Sequence, residues 1–457
     1  MSKNIKETTS KELLEELISN PKQFEHKHPS EIARILKDIY HNYGKDIFIE
    51  YINNIPKEYL GEILLELPEY IKDDALEDLS AKELAEAVEE LDSDDAADLI
   101  QDIKDVDESK TKEIFEDLDD SDVKNIQKLQ KYSEDQAGSL MQTELFSAKL
   151  DENIGESIKR LKELKDKTGL DNIFHVFLVD DYGFLVGYIP LEDVITFDFN
   201  KTYRDYLQEK YKRVKYLKDT ASIDDLIKIF EDYNIIVLPI VDSDSKLIGR
   251  VTSDDIIDII EERATEQMYK MAGVDEEVEE DREILTITKK RAIWLGINLI
   301  TAIAASFVIG LFDKTIQAYV ALAVLMPIVA SMGGNAGTQT LTVIVRQLAL
   351  DEIKWNEAKS SIIREVTVSL LNGLIFALVM GLIALLWYHD YKLGFVIGAA
   401  MIINLLFAGL FGAIIPLTLK RLNIDPAVAS SVLLTTVTDI VGFFAFLGLA
   451  KIFLIKG

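Results

Sequence analysis

A chain of 457 residues is long enough for two or three domains and a membrane part. It has no cysteine, which excludes disulfides and thiolate metal sites, and His26, His28, His41, His175 and His389 are too scattered for a histidine-rich metal cluster. The net charge of −30 lies wholly before Ala292: 39 basic and 71 acidic groups precede it, against 10 and 8 from there on. Such a surface repels nucleic acid and attracts cations.

The N-terminal MSKNIKETTSKELLEELI lacks the apolar core of a signal peptide, so the acidic half is expected in the cytosol. Residues 1 to about 130 read as helices only. Runs such as EYLGEILLELP, AKELAEAVEELD and SDDAADLIQDI carry Leu/Ile stripes at helical spacing, separated by acidic turns. The pattern predicts a small superhelical stack. Asp94 and Asp98 are four apart and share one helix face. Like charges at that spacing repel, and a divalent cation would relieve them.

From about 138 to 260 two segments resemble each other, IFHVFLVDDYGFLVGYIPLEDVI and NIIVLPIVDSDSKLIGRVTSDDII. Each has a β-rich run, an acidic turn, an apolar-Gly-apolar strand and a helix opened by acids. Gly187 and Gly249 hold equivalent places 62 residues apart. SIKRLKEL and SIDDLIKIFEDY supply the matching preceding helices. The period and pattern resemble a tandem pair of CBS domains, a regulatory module that often binds adenosine nucleotides or ions. Residues 254–290 then predict one long polar helix. Ile256, Ile257, Ile260, Ala264 and Met268 make an apolar stripe on it, and Asp255, Asp258, Glu262 and Glu266 an acidic one. Its place between the sensor-like domains and the membrane half marks it as a mechanical linker.

Five apolar segments follow: Ala292 to Phe312, Thr315 to Val345, Val366 to Tyr388, Leu393 to Leu419 and Pro426 to Ala450. Each is long enough to cross a bilayer, which takes about 20 residues. The second is overlong and is expected to break at Pro327 and SMGGNAGTQT, placing Asn335 and Thr338 beside a wet path. The fifth carries Asp439 in its middle, with Ser430, Ser431, Thr435, Thr436 and Thr438 on the approach. A charge at the centre of a span costs roughly 2.5–3.5 kcal/mol on insertion scales. A helix sustains that only if the carboxylate faces water, a cation or a partner group. Ser431, Thr435, Asn335 and Thr338 are therefore expected to line a pore with Asp439. Lys289, Lys290, Arg291, Arg346, Lys354, Lys359, Arg364, Lys420 and Arg421 fall on one side, and only Lys314, Lys392, Lys451 and Lys456 on the other. By the positive-inside rule the N-terminus is cytoplasmic and the C-terminus extracytoplasmic.

No catalytic constellation emerges, and no glycine loop ending in Lys-Ser/Thr is present, so the chain reads as neither an enzyme nor an ATP-driven pump of that kind. What remains is oxygen chemistry. Magnesium holds its water tightly and meets protein through one or two carboxylates plus retained waters. One Asp439 per chain suits that mode, and in a two-fold dimer two copies could face each other across the axis.

LDSDDAADLI, YSEDQAGSLMQTE, ATEQMYKMAGV, GGNAGTQT, DPAVASS and TTVTD together resemble the MgtE-type magnesium channels over nearly the whole length. The resemblance implies a homodimer in the plasma or inner membrane. Its parts are an acidic all-α N-domain (1–131), α/β CBS domains (132–200 and 201–260), a connecting plug helix (254–290) and a five-helix pore domain (291–457). It implies magnesium as the permeating and regulating ion and admits ATP at the CBS domains. Cytosolic magnesium between the acidic domains would favour closure. Position by position, Asp439 matches the pore carboxylate and Asp425 the acid at the cytosolic mouth. Asp255, Asp258 and Glu266 match sensor acids of the plug helix, and Glu62, Asp94 and Asp98 those of the helical domain. Arg263 and Gln267 stand where the family usually has acids, Asn234 replaces an Asp, and Val432 replaces a Pro near the pore entrance.

Two readings of different class stay open at this stage, a gated cation channel and a membrane-anchored CBS nucleotide sensor. Within transport, manganese, cobalt and calcium accept the same oxygen ligands. The channel reading also predicts that Glu266 lies near Asp425. Two acids about 4 Å apart repel by on the order of 4 kcal/mol at an effective dielectric near 20, and a bridging magnesium ion would turn that repulsion into a clasp.

Overall fold

The computed structural model describes residues 10–168, 170, 172–207, 211, 214–274, 284–349, 353, 358–422 and 424–455. They form two compact units, 1–262 and 263–457.

The first unit begins as expected, with helices alone among the described residues up to the strand Ser147–Lys149. Each helix buries one stripe. Ala81–Glu89 opens on a capping box between Ser80 and Glu83 and buries Leu84, Ala85, Ala87 and Val88. Ser93–Val106 buries Ala96, Ala97, Leu99, Ile100 and Ile103. These side chains share one continuous core with Leu226, Phe230, Leu238, Val251 and Ile256 of the second CBS repeat. The helical domain and that repeat are thus packed together.

The two repeats are copies in detail. Strands β1 (Ser147–Lys149), β2 (His175–Val179) and β3 (Leu185–Pro190) form one sheet, and β4 (Leu217–Lys218), β5 (Val237–Val241) and β6 (Leu247–Thr252) the other. In each, the first pair is parallel and the second antiparallel. Leu178 pairs with Gly187 and Ile240 with Gly249, followed in both by a register shift. The acidic turns also match: Asp180 accepts from the backbone of Tyr182 and Phe184, and Asp242 from that of Asp244 and Lys246. A Cβ on Gly187 would lie 2.6 Å from the Tyr211 carbonyl oxygen, and one on Gly249 would lie 2.1 Å from Met141. Another segment crosses each strand there, so only glycine fits. Asn234 is left-handed (φ 48°) and ends the Ile223–Tyr233 helix, a conformation asparagine tolerates well.

The connecting helix runs Ser253–Ala272 and stops at Gly273 (φ 72°). The single helix expected over 254–290 is therefore interrupted at a left-handed glycine cap. Residues 275–283 of that expectation lie outside the described residues, and the next helix, Ile284–Gly310, runs into the first span.

Among the described residues, five helices of the second unit are long and apolar enough to cross a membrane: Ile287–Gly310, Ala321–Ala349, Ala358–Tyr388, Tyr391–Arg421 and Ser430–Ile455. The fourth is the central post, packed on the second, third and fifth, while the first packs on the fifth and leaves Ile293, Leu299, Ile300 and Phe307 exposed. The second span corrects the sequence reading. Its helix is continuous through Pro327 and the glycine run, and the irregular stretch comes earlier, at Tyr319 and Val320. In hydrocarbon the backbone must bond to itself, and the glycines serve close packing instead. Asn404 of the fourth span fills the space beside Gly333 and Gly442, and its Nδ2 donates to the Val329 carbonyl at 2.7 Å.

Candidate cation sites

Three groups of acids occupy three settings. The first lies in the cytosolic-type unit, where the Ser93–Val106 helix meets the start of the connecting helix. Asp92 is the N-cap, and Asp94 and Asp95 lie in the first turn, where the helix dipole favours negative charge. The chain clamps this end from outside. Ser93 donates through Oγ and its backbone N–H to Glu144 (2.8 and 3.1 Å), and Thr143 N–H donates to Ser93 Oγ (2.8 Å). Gln142 in turn exchanges backbone hydrogen bonds with Arg250 on β6.

This clamp holds acids against acids. Asp94 is 5 % exposed, and its Oδ1 is buried without a hydrogen-bond partner among the described residues. Burial, then the charges of Asp255 and Asp95, hold its carboxyl well above the ordinary carboxylate range. Burial and then Asp255, Asp98, Asp92 and Glu62 push Asp95 up to about 7. Burial and Asp254 push Asp255 up to about 6, against a hydrogen bond from the Thr252 hydroxyl at 2.9 Å. Asp98 is driven up to about 6 by burial and Asp102, with Lys72 opposing, but it sits at the exposed rim where water screens it. The strain therefore concentrates on Asp94, Asp95 and Asp255. Arg250 is the buried cation close by. Burial works against its charge, while Asp92, Glu144, Asp94 and Asp254 favour it. Among the described residues no three such groups converge into a ready cage for a bare ion. A cation that keeps its water, as magnesium does, needs no such cage.

Four acids expected from sequence lie within electrostatic reach of this corner: Asp94, Asp98, Asp255 and, at the edge, the exposed Glu62, whose charge bears on Asp95. Asp95 was not among them, although its three-residue spacing to Asp98 already put the two on one face. Asp258, exposed on the connecting helix, reaches the cluster only through its charge on Asp255 of the same helix; its own charged neighbours are Asp254 and Glu261.

The second group belongs to the other unit. Glu266 and Asp425 are close, as the sequence predicts, but the group between them is Lys270. Its Nζ lies 3.1 Å from Asp425 Oδ2 and is also bonded to Glu266. The expected bare repulsion of two acids is therefore not what this junction shows. Partial burial works against the ammonium, yet hydrogen bonds to Glu266 and Asp425 outweigh it and hold its proton more tightly than usual. Asp425 also caps the fifth-span helix Pro426–Ala450, its Oδ1 accepting from Ala427 N–H at 2.8 Å.

The third group is one acid. Asp439 is half-buried in the fifth span and has no hydrogen bond or ion pair among the described residues. Thr435, which donates to the Ser431 carbonyl at 2.9 Å, is exposed one turn away, and Ser431 is half-buried. On the adjoining second span Ser331, Asn335, Thr338 and Thr342 form an exposed polar stripe, while Gly333, Gly337 and Thr340 face inward. Leu434 packs into the space at Gly337, so the two helices are in direct contact. Ser430 and Thr438, expected on the approach to Asp439, are fully buried.

Comparison with known proteins bears on the domains. The profile described as "Divalent cation transporter" matches residues 326–449, that of the MgtE intracellular N domain matches 27–135, and that of the CBS domain matches 137–200 and 210–262. The magnesium transporter MgtE of Enterococcus faecalis is 33 % identical over 330 residues, 72 % of this chain and 71 % of that one. The Thermus thermophilus protein of the same name is 30 % identical over 332 residues, covering 72 % of each chain. Among solved structures, the cytosolic domain of the Mg2+ channel MgtE in complex with ATP aligns at 25 % identity and a TM-score of 0.49. It covers 55 % of this chain and 98 % of that one. With its long apolar helices, the chain is a multi-pass membrane protein whose N domain is intracellular. It belongs to the MgtE family of magnesium transporters.

Proposed function

We propose that the chain is a magnesium channel that works as a homodimer and is closed by cytosolic magnesium held at the Asp94/Asp95/Asp255 cluster. The observation that carries the conduction half is Asp439, an acid without a protein partner among the described residues, one turn from the exposed Thr435 on a helix packed against the second span and its exposed polar stripe. A polar stripe cannot face lipid tails without loss. A second copy facing the same lane would enclose it and pair two carboxylates around a hydrated ion. Ile257, Ile260 and Met268 of the connecting helix are exposed too, which favours pairing of copies. With the N domain inside, five crossings put the C-terminus outside.

The gating half rests on linkage. A ligand shifts a conformational equilibrium only through different affinity for the two states. Crowded acids bind a divalent cation well when the helical domain and the second CBS repeat are packed, and poorly when they part. The packed form is the closed one in this scheme. The test is magnesium flux into proteoliposomes with manganese, cobalt and calcium as competitors and with internal magnesium varied. Equal flux of all four ions would remove the selectivity, and flux indifferent to internal magnesium would remove the gate. A plain membrane anchor carrying a nucleotide sensor would give no flux at all.

A further inference from the structure

We propose that Lys270 is a positioning residue of the gate, a tethered cation that holds the end of the connecting helix on the start of the fifth span without any metal ion. The inference rests on the gated-transport reading and adds a regulator to it.

Three observations converge. Lys270 bonds at once to Glu266, four residues earlier on its own helix, and to Asp425, 155 residues away. The order Glu then Lys at that spacing, in the last helical turn, is the favourable one for both the pair and the helix dipole. Asp425 is already fixed, because its other oxygen caps the fifth-span helix. The ammonium therefore reaches a carboxylate that cannot swing away without uncapping that helix. Finally, the next residue, Met271, packs on the cluster of Leu341, Val345, Ala427 and Leu434, with Phe411 and Ile415 beside it. The last turn of the connecting helix is thus seated among the ends of the second, fourth and fifth spans by an ionic and an apolar contact together.

The chemistry separates this seat from the acidic cluster. An ammonium between two carboxylates removes their mutual repulsion and leaves less charge for a divalent ion. An incoming ion would have to displace a donor kept nearby by its own chain, at high effective concentration. Part of the closing free energy at this seat is then independent of magnesium. Lys270 lowers the amount of magnesium needed at the cluster to finish the closure.

The experiment is flux through full-length protein in proteoliposomes over a range of internal magnesium, for wild type, Lys270→Met and Lys270→Arg. Lys270→Met keeps the stem and removes the charge. It should raise flux at the lowest internal magnesium and move half-closure to roughly twofold to fivefold higher magnesium, the range expected for one partly exposed ion pair. Lys270→Arg should restore the wild-type curve, which a general packing defect would not allow. A Lys270→Met curve that overlays wild type, or one shifted to lower magnesium because the lysine merely competes for Asp425, overturns the proposal. If wild type ignores internal magnesium, the gating reading falls by itself. The latch is then still read from the flux ratio of Lys270→Met to wild type at each concentration: above one supports it and one contradicts it.

Discussion

Carboxylates are brought together both at the acidic cluster of the cytosolic-type unit and at the mouth of the fifth span, and the two places handle the charge in opposite ways. At the mouth, Glu266 and Asp425 share Lys270, which is hydrogen-bonded to both. At the cluster, Asp95 is surrounded by Asp255, Asp98, Asp92 and Glu62, and a buried oxygen of Asp94 has no partner among the described residues. The difference teaches where an outside cation has most to do. A site that already contains an ammonium gains little from magnesium. A site whose acids are pushed up to about 7 and about 6 in its absence gains most.

The largest expected effect lies outside both places, in the pore, and fixes the baseline for comparing them. Asp439→Asn should lower magnesium flux on the order of a hundredfold while the protein still inserts. Losing an ion–carboxylate interaction of about 3 kcal/mol corresponds to that factor. Flux measured on correctly assembled protein checks it, and wild-type flux would detach Asp439 from conduction.

Next comes the cluster. The double variant Asp95→Asn/Asp255→Asn removes two charges without changing shape. Metal-free, it should resist protease at the Ser253–Ala272 helix as well as magnesium-loaded wild type does, and added magnesium should change little. A variant whose protease pattern still depends strongly on magnesium would place the sensing acids elsewhere.

A smaller effect follows from pH. Folded carboxyls raised from 3.8 to about 7 (Asp95) and to about 6 (Asp255) keep protons that the unfolded chain has already released. Native protein then binds more protons than unfolded protein, so stability falls as pH rises from about 4 through about 7 and levels off above. Hydrogen-exchange protection of the Ser93–Val106 helix in metal-free protein should fall over that window, and millimolar magnesium should flatten the fall. Lys270, whose proton is held more tightly than usual, stays charged across that window and should add no such slope.

The smallest effect is at the clamp. Ser93→Ala removes the hydroxyl that links Glu144 and the Thr143 backbone and should cost about 1 kcal/mol, the ordinary worth of a buried hydrogen bond. A thermal shift of a few degrees that magnesium partly restores is the expected readout.

Much of this was legible in the sequence, for unequal reasons. The CBS repeat could be read because its register repeats with the 62-residue period, down to the paired glycines and acidic turns. Asp94 and Asp98 followed from helical spacing, and the same spacing marked Asp255 on the connecting helix; its role as a sensor acid came only through family resemblance, because nothing local says what its helix faces. Lys270 escaped notice because its partner is 155 residues distant, and a lysine on an acidic helix ordinarily means a solvated pair. Glycines misled in both directions. In the second span they read as a break but serve as packing surface for Asn404 and Leu434. At Gly273 a single glycine inside a charged run ended the helix that the acidic periodicity seemed to continue.

The central claim is that the acidic cluster, rather than the mouth, is where cytosolic magnesium acts. The direct measurement is half-closing magnesium in proteoliposome flux for wild type, Asp95→Asn/Asp255→Asn and Lys270→Met side by side. The account predicts that flux through the cluster variant no longer responds to internal magnesium, whereas Lys270→Met keeps the full response with its midpoint moved upward. A cluster variant that closes along the wild-type curve, with the response lost in Lys270→Met instead, would contradict it.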